Sequence, residues 1–229
     1  MNRLAFTAET SAGRRTFDAK IDALVIAGWT GRDAAAVEEH IVELERLGVP
    51  RPKTTPIFYR VSASLLTTAA EIEVAGPDTS GEVEPVVLSL PEGLFVAVGS
   101  DHTDRAAEKQ GVTMAKQLCA KPISAMLWLY DEVAPHWDRL ILRSYATIGG
   151  ARRLYQEGPV VALRPPAELI SNYLNGKDSL PAGTAMFCGT LAVPGGIAPA
   201  ARFEIELEDP VLGRHLGAAY GIRTLPVEG

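Results

Sequence analysis

Glu82, Glu84 and Asp101 are the residues whose types and spacing point most directly to chemistry. The run Ser80-Gly81-Glu82-Val83-Glu84-Pro85-Val86-Val87-Leu88 reads as a strand, and residues two apart on a strand share a face. Glu82 and Glu84 therefore stand side by side while Val83 turns into the core. Two like charges this close raise one carboxyl pKa unless something positive lies between them. A divalent cation is the simplest resolution, and hard oxygen ligands favour Mg2+, Mn2+ or Ca2+ over softer metals. Taken alone, the same pattern also describes an exposed strand face with two solvated glutamates.

Asp101 shifts that balance. The apolar strand Leu94–Gly99 delivers the cluster Ser100-Asp101-His102-Thr103-Asp104-Arg105 at its end, and polar side chains at a strand terminus are costly to bury without partners. Pairing of this strand with the one carrying Glu82 and Glu84 brings a third carboxylate to the same ion. Asp104 has a simpler use as a helix cap. His102 suits either an acid–base role or a backbone hydrogen bond. Lys116, at the end of the following helix, would stabilise developing negative charge or complement the helix C-terminus. Gly189-Thr190 opens a Gly-rich turn whose amides and hydroxyl would hold a carboxylate. That turn lacks the Lys-Ser/Thr of a P-loop, so nucleotide binding is not indicated. No Ser-His-Asp or Cys-His arrangement stands out.

The elements that must position these groups are short. Strand-like runs at Glu71–Val74, Glu82–Leu90, Leu94–Gly99, Arg139–Ile148, Val160–Leu163, Ala185–Leu191 and Ala201–Leu207 are separated by Gly, Pro and Asp. They predict a mainly β, α+β domain of the roll or sandwich kind, not a doubly wound α/β sheet. Helices are expected over Asp104–Gln117 and Pro166–Leu174. Ahead of them, Phe17 to Ala27 reads as a strand entering a core. A helix follows, capped by Thr30 or Asp33, with Val37, Ile41, Leu44 and Leu47 on one face and Gly48 and Pro50 at its end. The Pro-rich connector Arg51–Pro56 divides a small N-terminal segment, residues 1–55, from a main domain, residues 56–229.

With 229 residues, 47% of them hydrophobic, the chain can build a sizeable core. Its net charge of −6 and the absence of a basic run argue against nucleic acid. No apolar run is long enough to span a membrane and no signal peptide is visible. Cys119 and Cys188, in apolar surroundings, read as buried free thiols of a reducing compartment, hence a cytoplasmic chain.

Taken in order, these segments resemble the C-terminal catalytic domain of the fumarylacetoacetate hydrolase family, over roughly Pro56 to Glu208, and the whole chain resembles an uncharacterised bacterial branch of that fold. The resemblance assigns Glu82, Glu84 and Asp101 to the family's Mg2+- or Ca2+-binding carboxylates. Asp101-His102-Thr103-Asp104-Arg105 is similar to its Asp-x-Thr-x-Arg motif. Ala115-Lys116-Gln117-Leu118 is similar to its lysine stretch, Gln156-Glu157-Gly158 to its Gln-x-Gly step and Gly189-Thr190-Leu191 to its Gly-Thr-Pro turn. What this implies is a metal-dependent hydrolase, a homodimer, cleaving a C–C bond in a small 2-oxo or 1,3-dicarbonyl acid through a metal-stabilised enolate. Lys116 and His102 would be catalytic, and Arg105, Gln156, Thr190 and Gly189 would bind substrate. One departure matters: Phe58–Leu66, read against the family's lid, has no His to activate water. That leaves a decarboxylase, tautomerase or hydratase, or a metal-dependent acid binder without catalysis, as alternatives.

Overall fold

The computed structural model describes residues 2–46, 48 and 51–228. Two sheets dominate it. The larger has eight strands, in the order Gly13–Ile21, Asn2–Thr10, Met126–Leu129, Gly93–Ser100, Val83–Leu90, Thr184–Phe187, Ala23–Gly28 and Ile57–Val61. The smaller has five, in the order Ala151–Pro159, Ile141–Ile148, Arg202–Asp209, Arg214–Leu225 and Glu71–Ala75. The mainly β, α+β architecture expected from the sequence is what forms.

Gly13–Ile21 and Ala23–Gly28 adjoin in the chain yet lie near opposite ends of the large sheet. The sheet must therefore curl, and its inner face closes on Phe6, Leu24, Ile26, Leu66, Val86, Leu88, Phe95 and Phe187. The single strand expected over Phe17–Ala27 breaks at Asp22, where the amides of Asp22 and Ala23 both donate to the carbonyl of Gly183. The segment before residue 55 thus contributes three strands to the eight-stranded sheet.

A second core joins the two sheets. Val83, Val96 and Val98 pack with Leu142, Ile205, Leu207 and Leu216. Val83–Leu90 is covered on both faces, which explains its nearly unbroken apolar run. Behind the large sheet, Val25, Val87 and Met186 meet Leu169 and Ile170 of the helix Pro166–Tyr173.

Two expected elements take other forms. Val160–Leu163 is not a strand: Val160–Ala162 is a 3-10 turn, and its buried residues Val160 and Leu163 are three apart, the spacing of that turn. The helix expected over Asp104–Gln117 is interrupted at Gly111, giving a 3-10 turn Ala107–Lys109 and a short helix Val112–Gln117. Asp104 caps this region as expected, its Oδ1 accepting from the amide of Ala107 at 2.9 Å. Asp33 caps Ala34–Arg46 by accepting from the amides of Ala35 and Ala36. Leu47 and Pro50, and the side chain of Leu44, lie outside the described residues. Among the described residues, no helix is long and apolar enough to cross a membrane.

Candidate metal centre

The site forms where Val83–Leu90 begins and Gly93–Ser100 ends. These strands are antiparallel neighbours, pairing Val83 with Ser100 and Glu84 with Gly99. The amide of Asp101 donates to the carbonyl of Glu82 at 2.9 Å, extending the register one step. Glu82, Glu84 and Asp101 each offer a carboxylate oxygen, all within 4.8 Å of one another.

Each carboxylate has a different counterpart. Glu82, at the rim, has its Oε1 3.0 Å from Arg105 Nη2. Asp101 is fully buried between two ammonium groups: Lys116 holds Oδ2 and Lys121 lies 3.0 Å from Oδ1. Burial opposes its charge, but the two lysines prevail and hold the carboxyl well below the usual range. Lys116 is shifted upward: burial opposes its charge, but Asp101 and Glu82 favour it. Lys121 also donates to the carbonyl of His102, and burial lowers its pKa while Asp101 resists.

Glu84 has less support. It is 2% exposed, and its Oε2 accepts one backbone hydrogen bond, from Gly189 at 2.6 Å. Burial, then the charge of Asp101, push its pKa well above the ordinary value. A desolvated carboxylate facing two others favours a cation beside it, and three hard oxygen donors suit a divalent one. The residues present therefore fit a metal such as Mg2+, Mn2+ or Ca2+.

The Gly189 contact demands glycine. Its φ is +99°, and a Cβ there would lie 1.7 Å from Thr30 Oγ1. Next to it, Thr190 donates to the carbonyl of Val83 at 2.8 Å and accepts from Gln156 Nε2 at 2.8 Å. Gln156 Oε1 accepts from the Val83 amide and the Ser144 hydroxyl, and Nε2 also donates to the carbonyl of Leu191. A register shift between Ile141–Ile148 and Ala151–Pro159 leaves Tyr155 and Gln156 both buried, which aims Gln156 inward.

The structure brings Glu82, Glu84, Asp101, Lys116, Arg105, Gly189 and Thr190 into one neighbourhood. Gln156 enters as the brace beneath Thr190. His102 points elsewhere: it is 0% exposed, Nε2 lies 2.9 Å from Thr79 Oγ1 and Nδ1 lies 3.1 Å from the Tyr220 hydroxyl. Burial, with Lys121 and Arg105 nearby, lowers its pKa to about 3, so the ring is neutral. Sequence reasoning missed Lys121, Thr30 and Glu108. Lys121 stands alone between Ala120 and Pro122, Thr30 is distant in sequence from Gly189, and Glu108 lay inside the helix expected over Asp104–Gln117.

The family model described as "Protein of unknown function (DUF2848)" matches residues 27–220. The chain belongs to that family. The DUF2848 match runs without interruption across the connector at Arg51–Pro56. No curated protein matches the sequence. Solved structures share the fold of this DUF2848 chain at low identity. A fumarylacetoacetate hydrolase family protein from Yersinia pestis CO92 is 18% identical, with a TM-score of 0.65 over 95% of this chain and 100% of that one. A 5-carboxymethyl-2-hydroxymuconate delta-isomerase from Mycobacterium smegmatis is 14% identical, with a TM-score of 0.63 over 94% and 82%. A 2-keto-3-deoxyarabinonate dehydratase is 16% identical, with a TM-score of 0.63 over 94% and 78%. The DUF2848 chain thus has the fumarylacetoacetate hydrolase fold, as the order of its motifs implied.

Proposed function

We propose that the protein is a divalent-metal-dependent hydrolase that cleaves a C–C bond in a small 2-oxo or 1,3-dicarbonyl acid, with Mg2+ or Mn2+ on Glu82, Glu84 and Asp101. The observation that carries this is the convergence of three carboxylate oxygens within 4.8 Å, one of them on the buried and poorly compensated Glu84. The cation supplies Lewis-acid polarisation of adjacent carbonyl and carboxylate oxygens, the condition for enolate chemistry.

The remaining work falls to the chain. Lys116, 5.6 Å over the ring of Tyr59 and 7% exposed, presents an ammonium to an incoming acid. Thr190, fixed by Gln156, sets the opposite edge. Arg105 pairs with Glu82 and holds it in place. Counted formally with a dication bound, Arg105, Lys116, Lys121 and the metal outweigh the carboxylates Glu82, Glu84, Asp101 and Glu108 by one positive charge, which favours an anionic substrate.

A second reading is enolate chemistry without hydrolysis. Proteins of this fold that are named as an isomerase and a dehydratase support it. The test is a panel of acetylpyruvate, oxaloacetate and related acids with Mg2+ or Mn2+, followed by loss of enol absorbance and product analysis. Hydrolysis of a 2,4-dioxo acid supports the first reading. Turnover restricted to decarboxylation, isomerisation or dehydration supports the second, and metal-dependent binding without turnover overturns both.

A further inference from the structure

We infer that Glu108 is the catalytic base that activates water for this site. The inference rests on the hydrolase reading above and names the group that the reading leaves open. Glu108 sits on the turn Ala107–Lys109, and Arg105 joins it to the triad. One guanidinium face holds Glu82 Oε1 through Nη2 at 3.0 Å and Glu108 Oε1 through Nη1 at 2.8 Å. The Arg105 Nε donates to Ser80 Oγ at 2.7 Å, which fixes the fork. Glu108 is therefore held beside the metal ligands without being one of them. Among the described residues, its hydrogen bonding is confined to Oε1, which leaves Oε2 free to accept a proton.

Exposure separates floor from mouth. Glu84, Asp101 and Lys121 are buried, whereas the Glu82, Arg105 and Glu108 side chains keep 16%, 16% and 21% exposure. These three side chains form part of the exposed rim of the site. Burial raises the Glu108 pKa against the pull of Arg105, and Glu82 adds to the rise, moving it toward the range useful to a base near neutral pH.

The other titratable groups nearby have the wrong form or position. His102 is enclosed, with both nitrogens partnered. Tyr59 is held in the neutral form by burial. Asp104 is occupied as a cap. Cys119 and Cys188 are buried, and burial pushes their thiols up.

For acetylpyruvate the step balances as follows. Glu108 takes a proton from water as the oxygen bonds to the C4 carbonyl carbon. The C3–C4 bond breaks, its electron pair stays on C3 as the enolate of pyruvate, and acetic acid departs with the water oxygen and the second water proton, which it loses to solvent as acetate. Protonated Glu108 then returns its proton to C3, giving the methyl group of pyruvate and restoring the carboxylate.

Glu108→Gln keeps the acceptor for Arg105 and removes only the base. With Mn2+ and acetylpyruvate, kcat should fall at least ~100-fold with KM within about threefold, and the acidic limb of the kcat profile should vanish. Calorimetry should show unchanged Mn2+ affinity. A second readout does not need hydrolysis: deuterium exchange into the methyl group of pyruvate in D2O with Mn2+. Loss of exchange in Glu108→Gln, with none of the acids hydrolysed by the wild type, sinks the hydrolase reading but keeps Glu108 as the base. Wild-type rates of turnover or exchange in Glu108→Gln overturn the proposal. So does a wild-type protein that shows neither activity.

Discussion

The amide of Gly189 lies 2.6 Å from Glu84 Oε2, and the volume a side chain on Gly189 would need is filled by Thr30. One backbone donor, held at a φ of +99°, thus anchors a carboxylate that makes no ion pair among the described residues. The loop before the helix Ala34–Arg46 and the turn after Thr184–Phe187 meet at this point, so the site depends on packing between distant segments.

Gly189→Ala should be costly for that reason. A left-handed residue without glycine's freedom costs about 1–3 kcal/mol, and displacing Thr30 adds about 1–3 kcal/mol of overpacking. Thermal denaturation should show a clear loss, and Mn2+ affinity should drop with it. A variant with wild-type melting and metal binding would contradict the role given to this contact.

Metal binding should stabilise the protein and depend on pH through Glu84. The raised pKa of Glu84 means that the metal-free fold prefers the protonated acid. Its contribution to metal-free stability is present below the ordinary carboxyl value and is lost as pH rises through the shifted one. Metal affinity runs the opposite way, strengthening as that proton leaves. At a metal concentration 100 times Kd, stabilisation is about 2.7 kcal/mol. Differential scanning calorimetry of wild type and Glu84→Gln, with and without Mn2+, should show the metal-induced shift only in wild type. The variant should also be at least as stable as wild type without metal near neutral pH.

His102 should govern acid stability and leave turnover at neutral pH to other groups. Its pKa is lowered to about 3 by burial, with Lys121 and Arg105 adding to the effect. The unfolded chain takes up a proton below about 6.5 while the folded ring resists it. Stability from this group is complete above that value and drains as pH falls toward the folded pKa, by up to about 1.4 kcal/mol per pH unit. His102→Phe strands the Thr79 hydroxyl and leaves the Tyr220 hydroxyl to Ser100, at about 1–3 kcal/mol. Urea melts should show a deficit at pH 7.5 that narrows by pH 5; a constant gap would refute the account.

Lys121→Met should be among the most damaging single changes. It removes a wholly buried cation from Asp101 and from the carbonyl of His102. Breaking one side of a buried pair costs about 3–5 kcal/mol. Asp101 keeps Lys116, so denaturant melts should place the loss toward the lower end of that range.

The acidic triad was legible because both of its signals are local. Glu82 and Glu84 sit two apart in a strand pattern, and Asp101 heads a polar run after an apolar one. The prevalence of short strands was legible from the same alternation and punctuation. What stayed hidden depends on contacts far apart in sequence. Nothing near Lys121 signals that the strand Lys121–Pro122 will be buried beside Leu66–Thr67. The register shift beside Ser144 turns Gln156 inward, and no periodic pattern records it. His102 looked chemical because it adjoins Asp101, but alternation along an extended segment points it to Thr79 and Tyr220. The continuous helix expected over Asp104–Gln117 hid the break at Gly111, and with it the turn that sets Glu108 at the rim.

The strand order of the large sheet also bears on how the protein is made. Asn2–Thr10 pairs in parallel with Met126–Leu129, and Ala23–Gly28 pairs in parallel with Thr184–Phe187. On a ribosome, the first strands emerge long before these partners exist. Ala23–Gly28 can join only Ile57–Val61 until residue 187 has cleared the exit tunnel, which leaves an apolar edge open during synthesis. Such non-local closure makes for slow folding and for nascent chains that need shielding by chaperones. Fragments ending before Phe187 will aggregate instead of yielding a smaller soluble unit.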